Sequence, residues 1–266
     1  MSCNNEPKKK IDLPQFTNIE KKELKTFFEY LLLREGGIYV LFGSKPIVHS
    51  GLCIISEENL KKNYKKIPSN LKAKNKTRKI KLNFKIDGWE KVQDRIKMRN
   101  YLLVFKKHEE VGMADVYFVN IANTIITLQK HYVTFKNKVG FDFDPLEVIF
   151  ELKSNNSTFW TTVEKDLVLQ GLIFGYGKTN AQFFEYWIKN DKTKKEIIEN
   201  LGFASSNDHL VDANIKVDYQ NFPLPVFRNL PNDPTVKKYK NEREEIKKIF
   251  KHRDPLEITL KKLLGN

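Results

Sequence analysis

The chain has 266 residues, of which 40% are hydrophobic and 12% aromatic, and it carries a formal net charge of +14. This length and composition are enough to bury the core of one large domain or two small ones, which argues against intrinsic disorder. With only two cysteines, a disulfide framework and a four-cysteine zinc site are both excluded. No run approaches the roughly 18 consecutive apolar residues that span a bilayer, so a soluble chain without a transmembrane segment is expected.

The beginning of the chain predicts one helix followed by two strands. Thr17 and Glu20 have the spacing of a capping box, and the apolar residues after them recur at helical spacing until the glycines at 36 and 37. The continuous apolar run 38–42 is interpreted as a buried strand, and the run 47–55 as a second strand.

The next part of the chain, up to residue 120, predicts most of a small sheet. A strict alternation of apolar and polar side chains over 79–86 is typical of a half-buried strand. The other predicted elements are a helix over 56–64, an exposed loop over 69–78, a helix over 89–99 and strands over 101–105 and 116–119.

The second half of the chain predicts helices. A single apolar stripe from Ile121 to Phe135 indicates one helix that ends near Gly140. Residues suited to capping predict further helix starts at Asp144, Thr161, Asn180 and Asp254. Four prolines between 221 and 234 predict an extended segment that lies over the surface.

These elements together predict an α+β fold, in which a small, mainly antiparallel sheet from the first half packs against a predominantly helical second half. We expect a single domain over 17–266, sheet-rich over 38–120 and helical over 121–266. Residues 1–16 are expected to form a flexible tether or a disordered terminus.

The N-terminal segment leaves two alternatives open. Cys3 precedes a polar, charged run that ends in three lysines, which is how a bacterial lipoprotein begins once its signal peptide has been removed. In that case Cys3 is acylated and the protein is tethered to the bacterial envelope. The alternative is an ordinary frayed terminus with a chance cysteine and a cytoplasmic protein.

A glycine-rich run in the second half comes close to a phosphate-binding P-loop. A P-loop has four residues between its first glycine and Gly-Lys-Ser/Thr, whereas five separate Gly171 from Gly177, and the run follows a predicted helix where a P-loop follows a strand. Its glycines are therefore interpreted as the end of one helix and the turn into the next. The turn is nevertheless a candidate pocket wall, formed by Gly175, Tyr176, Gly177, Lys178 and Asn180.

The positive charge is concentrated in one fifth of the chain. Residues 51–100 hold 15 basic and 5 acidic residues, a net charge of +10, and 61–85 hold eleven basic residues and no acidic one. One alternative is a solvated face that protects an edge strand from aggregation. The other is binding of an anionic partner, which is a membrane surface, a nucleic acid or an acidic protein. The candidate anion-binding residues are Arg78, Lys79, Lys81 and Lys85.

Two other groups of polar residues predict no site from spacing alone. The run from Ser205 to His209, with Asp212 nearby, has the residue types of a hydrolytic site but lacks the Gly-x-Ser-x-Gly pattern of a nucleophile elbow. The five histidines are far apart in sequence and none forms a pair at metal-ligand spacing, so we predict neither a metal site nor a cofactor.

Two short segments resemble a known group of proteins. The runs 39–46 (YVLFGSKP) and 171–181 (GLIFGYGKTNA) are similar to segments of an uncharacterised group of chlamydia-type bacterial proteins, some of which are lipoproteins. The resemblance covers these two segments only. It implies that the protein belongs to the bacterial envelope, but it implies no activity and no set of catalytic residues.

Three functions are consistent with the sequence. The first is a non-enzymatic binding or interaction protein, tethered to the envelope if Cys3 is acylated. The second is a nucleic-acid or anionic-surface binder that acts through the lysine-rich segment 61–85. The third is an enzyme whose site the fold assembles near Gly175 and Asn180.

Overall fold

The structure is a computed structural model that describes residues 13–53, 87–108, 113–206 and 217–265. Its fold is α+β, with a small antiparallel sheet from the first half of the chain and mostly helices in the second half. The sequence predictions for Cys3, the helix 56–64, the loop 69–78, the strand 79–86 and the run 207–212 lie outside the described residues.

The helices are α1 (Asn18–Phe28, continued by a π-helical turn Glu29–Arg34), α2 (Ile38–Leu41), α3 (Asp87–Glu90), α4 (Ile121–Lys130), α5 (Tyr132–Val139), α6 (Pro145–Glu151), α7 (Thr158–Lys165), α8 (Leu167–Ile173), α9 (Lys178–Lys189), α10 (Lys192–Asn200), α11 (Pro234–Phe250) and α12 (Pro255–Leu264). The strands are β1 (Ile47–Cys53), β2 (Tyr101–His108), β3 (Met113–Asn120), β4 (Ala204–Ser205) and β5 (Arg228–Asn229).

Strand β3 lies at the centre of the sheet. It pairs antiparallel with β1 on one side and with β2 on the other, and the short strands β4 and β5 form a separate pair. In this register His49 lies opposite Tyr117, and Lys106 lies opposite Asp115. Because directly paired residues point to the same face, the register decides which side chains of distant strands meet.

The sheet separates two hydrophobic cores. The first core covers the face that includes Val48 and Phe118, and it is built with α1, α2, α11 and α12. The second core covers the face that includes Ile47 and Val119, and it is built with the helices α4 to α8. Helices therefore pack against both faces of the sheet.

Local capping forms several helix starts as the sequence predicts. The Thr17 hydroxyl accepts a hydrogen bond from the Glu20 amide at 3.2 Å, and the Glu20 carboxylate accepts one from the Thr17 amide at 2.8 Å. Asp144 and Asp254 cap α6 and α12, each with proline in the first turn. These predictions are confirmed because each depends on residues within one helical turn.

The interpretation of 38–42 as a strand is wrong, because Ile38–Leu41 form the one-turn helix α2. The four side chains of α2 are all at most 1% exposed. A segment that is buried on every side has no polar face, so its apolar pattern cannot distinguish a helix from a strand. The chain enters α2 through Gly37, where a Cβ atom would lie 2.6 Å from the Leu31 carbonyl oxygen.

Two predicted helices are broken in the structure. The expected helix over 89–99 is the short α3 followed by a 3₁₀ turn at Gln93–Arg95, because Val92 leaves the helical conformation at φ −122°. The expected helix from Ile121 is divided at His131, whose φ of −114° and ψ of 20° redirect the chain between α4 and α5. In both cases the apolar spacing continues through the break, which hides it in the sequence.

The predicted start at Thr161 is also wrong. Ser157 caps α7 by accepting a hydrogen bond from the Trp160 amide at 3.2 Å, and Asp166 caps the separate helix α8 through the Leu169 amide at 2.9 Å. The predicted cap Asn180 lies inside α9, which begins after Gly177.

The proline segment is extended but does not lie only on the surface. Phe222 and Leu224 are 1% and 2% exposed and belong to the first core. The Pro223 carbonyl accepts a hydrogen bond from the Tyr39 hydroxyl at 3.1 Å, and the Pro225 carbonyl accepts one from Ser206 at 2.7 Å. The segment therefore fastens α2 to the C-terminal part of the chain. None of the helices in the described ranges is long and apolar enough to cross a membrane.

Candidate functional site

One end of the sheet face that borders the second core is polar and forms a cleft with α7 and α8. Further along the same face as the buried Ile47 and Val119 lie His49, Lys106 and Asp115. The cleft encloses about 400 Å³ and is called the histidine cleft below. Its walls are His49, Lys106, His108, Asp115, Tyr117, Asn155, Trp160, Val163, Glu164, Gln170 and Phe174.

Asp115 connects two histidines across the three strands. One carboxylate oxygen lies 3.0 Å from Nε2 of His49 on β1, and the other lies 2.8 Å from Nε2 of His108 on β2. When a neutral imidazole donates from Nε2 to a carboxylate, its other nitrogen, Nδ1, carries the lone pair. Burial of Asp115 raises its pKa, but the hydrogen bonds from the two histidines outweigh this effect and leave the pKa below its usual range.

A second polar group lies beside this cluster. The Tyr117 hydroxyl donates to Glu164 Oε1 at 3.2 Å, and the Lys106 amine lies 3.7 Å from the same oxygen. Burial, together with the neighbouring charge of Glu164, raises the pKa of the Tyr117 hydroxyl. This keeps the hydroxyl protonated, so Tyr117 remains a hydrogen-bond donor in the cleft.

Aromatic rings form the apolar part of the cleft. The His49 ring stacks on Tyr117 with centroids 4.5 Å apart, and it is nearly parallel to the Phe174 ring at 6.3 Å. Trp160 is 2% exposed, and its indole nitrogen donates to the Val148 carbonyl at 2.6 Å, which fixes the ring. The cleft therefore combines charged groups with flat apolar surfaces.

A smaller cavity lies on the other side of Phe174 and Gln170, which line both spaces. It encloses about 140 Å³ between α8, α9 and the start of β5, and is called the Asn180 cavity below. Of the pocket residues expected from the sequence, Tyr176 and Asn180 line it. Gly175 and Gly177 shape the turn with φ values of +77° and +87°, and Lys178 is exposed at the start of α9.

A buried amine supports the same turn. Lys45 is 2% exposed, and its amine donates a hydrogen bond to the Phe174 carbonyl and lies 4.4 Å from the centroid of the Tyr176 ring. Burial, with a smaller effect of the nearby Lys238 charge, lowers the pKa of Lys45 to about 7. Burial also raises the pKa of the Tyr176 hydroxyl to about 12, so the ring beside Lys45 carries no charge at neutral pH.

The main residues of the histidine cleft cannot be identified as a group from the sequence alone. His49, His108 and Asp115 belong to three different strands, and only the strand register brings them together. The alternation along each strand is the signal that assigns them to one face. The candidate anion-binding residues Arg78, Lys79, Lys81 and Lys85, and the candidate lipid attachment site Cys3, lie outside the described residues and stay predictions.

Within the described parts of the chain, no group of three or more His, Cys, Asp or Glu side chains is arranged to hold a metal ion. Comparisons with protein-family models, with curated proteins and with solved structures found no match for this chain. The resemblance to chlamydia-type proteins stays a prediction. The histidine cleft is therefore interpreted from its own chemistry.

Proposed function

We propose that the protein is a binding protein whose histidine cleft holds a small aromatic anion. The observation behind this proposal is the convergence of two histidines, a lysine and three aromatic rings around one space of about 400 Å³. Ligand sites are commonly concave spaces of this size, with mostly apolar walls and a few polar groups that fix orientation.

The charges of the cleft favour an anion when the histidines are protonated. Both oxygens of Asp115 already accept from imidazole nitrogens, and Oε1 of Glu164 accepts from Tyr117. With both imidazoles protonated, the groups His49, His108, Lys106, Asp115 and Glu164 carry one net positive charge. With both imidazoles neutral, they carry one net negative charge.

The rings of the cleft favour an aromatic body. Phe174, which is half-buried, provides apolar surface beside the His49–Tyr117 stack, and aromatic pairs prefer such offset or edge contacts. A planar ring can lie against these faces while its carboxylate reaches the Lys106 amine and an imidazole. Charge-assisted hydrogen bonds of that kind are about twice as strong as neutral ones.

The proposal is tested with benzoate and benzylamine as matched probes of opposite charge. Histidine is the side chain that ordinarily changes charge between pH 5 and 8. We expect benzoate to bind about tenfold more tightly at pH 5.5 than at pH 8, and benzylamine to show the opposite trend. Dissociation constants come from titrations followed by the backbone amide resonances of β1, β2 and β3.

Two sets of variants make this test specific. The double variant His49→Gln with His108→Gln should abolish the pH dependence of benzoate binding. The control His252→Gln removes an exposed histidine after α11 and should leave that dependence unchanged. The proposal would be contradicted if the wild-type protein bound benzoate equally well at both pH values. It would also be contradicted if the pH dependence of benzoate binding were the same in the double variant and in His252→Gln.

A further inference from the structure

We propose that the Asn180 cavity is a second binding site, distinct from the histidine cleft, for a single phenol-like group: an aromatic ring that carries a hydroxyl donor. The cavity lies between α8 and α9, where a Cβ atom on Gly171 would meet the Ala181 Cβ at 2.4 Å. This close helix contact fixes one wall of the cavity. The site is therefore largely formed before a ligand arrives.

The size and walls of the cavity fit one aromatic ring. Its volume is about 140 Å³, and most of its surface is contributed by apolar side chains that include Leu167, Phe184, Val226 and Phe227. A buried apolar cavity of about 150 Å³ is known to bind benzene. One aromatic ring therefore matches this volume.

Asn180 is the reason that we assign a hydroxyl donor to the ligand. Its side chain is 2% exposed, and its Nδ2 donates to the Tyr176 carbonyl at 2.8 Å, which fixes the orientation of the amide. Its Oδ1 is buried and has no hydrogen-bond partner among the residues that the structure describes. Asn180 lines the cavity, and a buried acceptor without a partner is costly, so a ligand whose O–H reaches Oδ1 gains more than one without a donor.

Arg228 lines the cavity, but its guanidinium group is not available to bind the ligand. The guanidinium carbon lies 3.9 Å from the centroid of the Trp187 ring, and Nη1 lies 3.4 Å from Glu199 Oε1. Glu199 also accepts from the Trp187 indole nitrogen at 3.0 Å. Since the positive charge of Arg228 is already paired, we expect a neutral hydroxyl and not an anion in this cavity.

The test is a cycle of two ligands and two proteins. Phenol and toluene have nearly the same shape but differ in the donor, and each is titrated against wild-type protein and the Asn180→Leu variant. We expect both ligands to bind, and the ratio of the toluene to the phenol dissociation constant to fall about tenfold in the variant. Using the ratio cancels the effect of the substitution on cavity shape.

Asn190 gives a matched control. Its Nδ2 makes the same bond to the carbonyl four residues earlier, Tyr186, at 2.7 Å, but at an exposed position. Asn190→Leu should therefore leave the ratio unchanged. An unchanged ratio in Asn180→Leu, or a fall of the same size in Asn190→Leu, would overturn the proposal.

A measurement on the wild-type protein keeps the proposal testable if Asn180→Leu does not fold. Phenol should shift the side-chain carbonyl ¹³C resonance of Asn180, and toluene should not, while both should give nuclear Overhauser contacts to the Ala181 methyl group. Absence of the Ala181 contacts, or equal shifts of the Asn180 resonance with the two ligands, would refute the site. The histidine variants used above should not affect phenol binding.

Discussion

Replacing Lys45 with methionine tests the cost of burying an amine against the end of α8. In the folded protein burial lowers the pKa of Lys45 to about 7, whereas an unfolded chain exposes the amine to water with a pKa of about 10.4. Methionine has a similar length and no proton to bind. The Lys45→Met variant should therefore lack the pH dependence that this amine gives the wild-type protein.

The sign and size of the effect follow from proton binding. As the pH rises from 7 to 9, the folded protein loses the proton on Lys45, whereas the unfolded chain keeps it. The free energy of unfolding of the wild type should therefore rise with pH, by up to about 1.4 kcal/mol per unit. Relative to Lys45→Met, the gain from pH 7 to pH 9 should be about 2 kcal/mol.

The groups that face Lys45 set the upper limit of the pH range in this experiment. They are the Tyr176 ring, the Lys238 amine and, across the Gly175 carbonyl, the Tyr239 hydroxyl. Tyrosine hydroxyls in an unfolded chain ionise near pH 10, while burial keeps the pKa of Tyr176 and Tyr239 higher. Measurements above pH 9 would therefore add a second, opposite effect.

The assay is urea unfolding followed by tryptophan fluorescence at pH 7, 8 and 9, for the wild type, Lys45→Met and a control variant. The control is Lys192→Met, because the Lys192 side chain is 92% exposed and therefore reaches water in the folded protein as well. The stability difference between the wild type and Lys192→Met should not change with pH. A pH-independent difference for Lys45→Met as well would refute the reasoning, since it would mean that the Lys45 amine stays hydrated in the folded protein.

Four further substitutions give direct tests of the fold and the cleft. Gly175→Ala places a Cβ atom 2.6 Å from the Tyr239 hydroxyl at φ +77°, so urea unfolding should show that the free energy of unfolding falls by about 3 kcal/mol or more. Gly140 has φ +87° and open space around it, so Gly140→Ala should lower the same free energy by only about 1 kcal/mol. Asp254→Ala removes the cap of α12 and should lower stability by about 1 kcal/mol, measured by circular dichroism during thermal unfolding. Asp115→Asn removes a negative charge from the histidine cleft, so benzoate should bind about fivefold more tightly at pH 8 in an NMR titration; unchanged binding would argue against the assigned site.

The parts of the fold that the sequence predicts well are those encoded within one turn of chain. Thr17 with Glu20, and Asp254 before Pro255, place helix starts correctly because the capping side chain and the amides it satisfies are neighbours. Strand β2 is also predicted, although it runs on to His108. Three residues beyond the expected end at Phe105 are thus part of the sheet, and two of them, Lys106 and His108, line the cleft.

The parts that the sequence does not predict depend on long-range packing. The segment Ile38–Leu41 is enclosed on all sides, and its helical turn is held by Asn120 and Tyr101, which donate to the Val40 and Leu41 carbonyls. Neither partner is near in sequence. The histidine cleft depends in the same way on register, because a shift of one residue in β1 would turn His49 to the opposite face.

The glycine-rich run that resembles a P-loop forms the turn after α8, and this turn is also held in part by long-range contacts. Gly175 ends α8 in a Schellman arrangement, in which the Gly175 amide bonds to Leu172 and the Tyr176 amide to Gly171. The carbonyls of residues 174, 175 and 176 then accept, in order, from the side chains of Lys45, Tyr239 and Asn180.

Lys45 comes from the segment before β1 and Tyr239 from α11, so two distant parts of the chain converge on this turn, while Asn180 lies in α9, four residues after the carbonyl that it binds. Carbonyls at a helix end have no partner within the helix, and side chains that satisfy them fix its direction. Phe174, which begins this turn, lines both the histidine cleft and the Asn180 cavity. The glycines are thus required by the path of the backbone, and the side chains that bind the turn hold the wall between the two proposed sites in place.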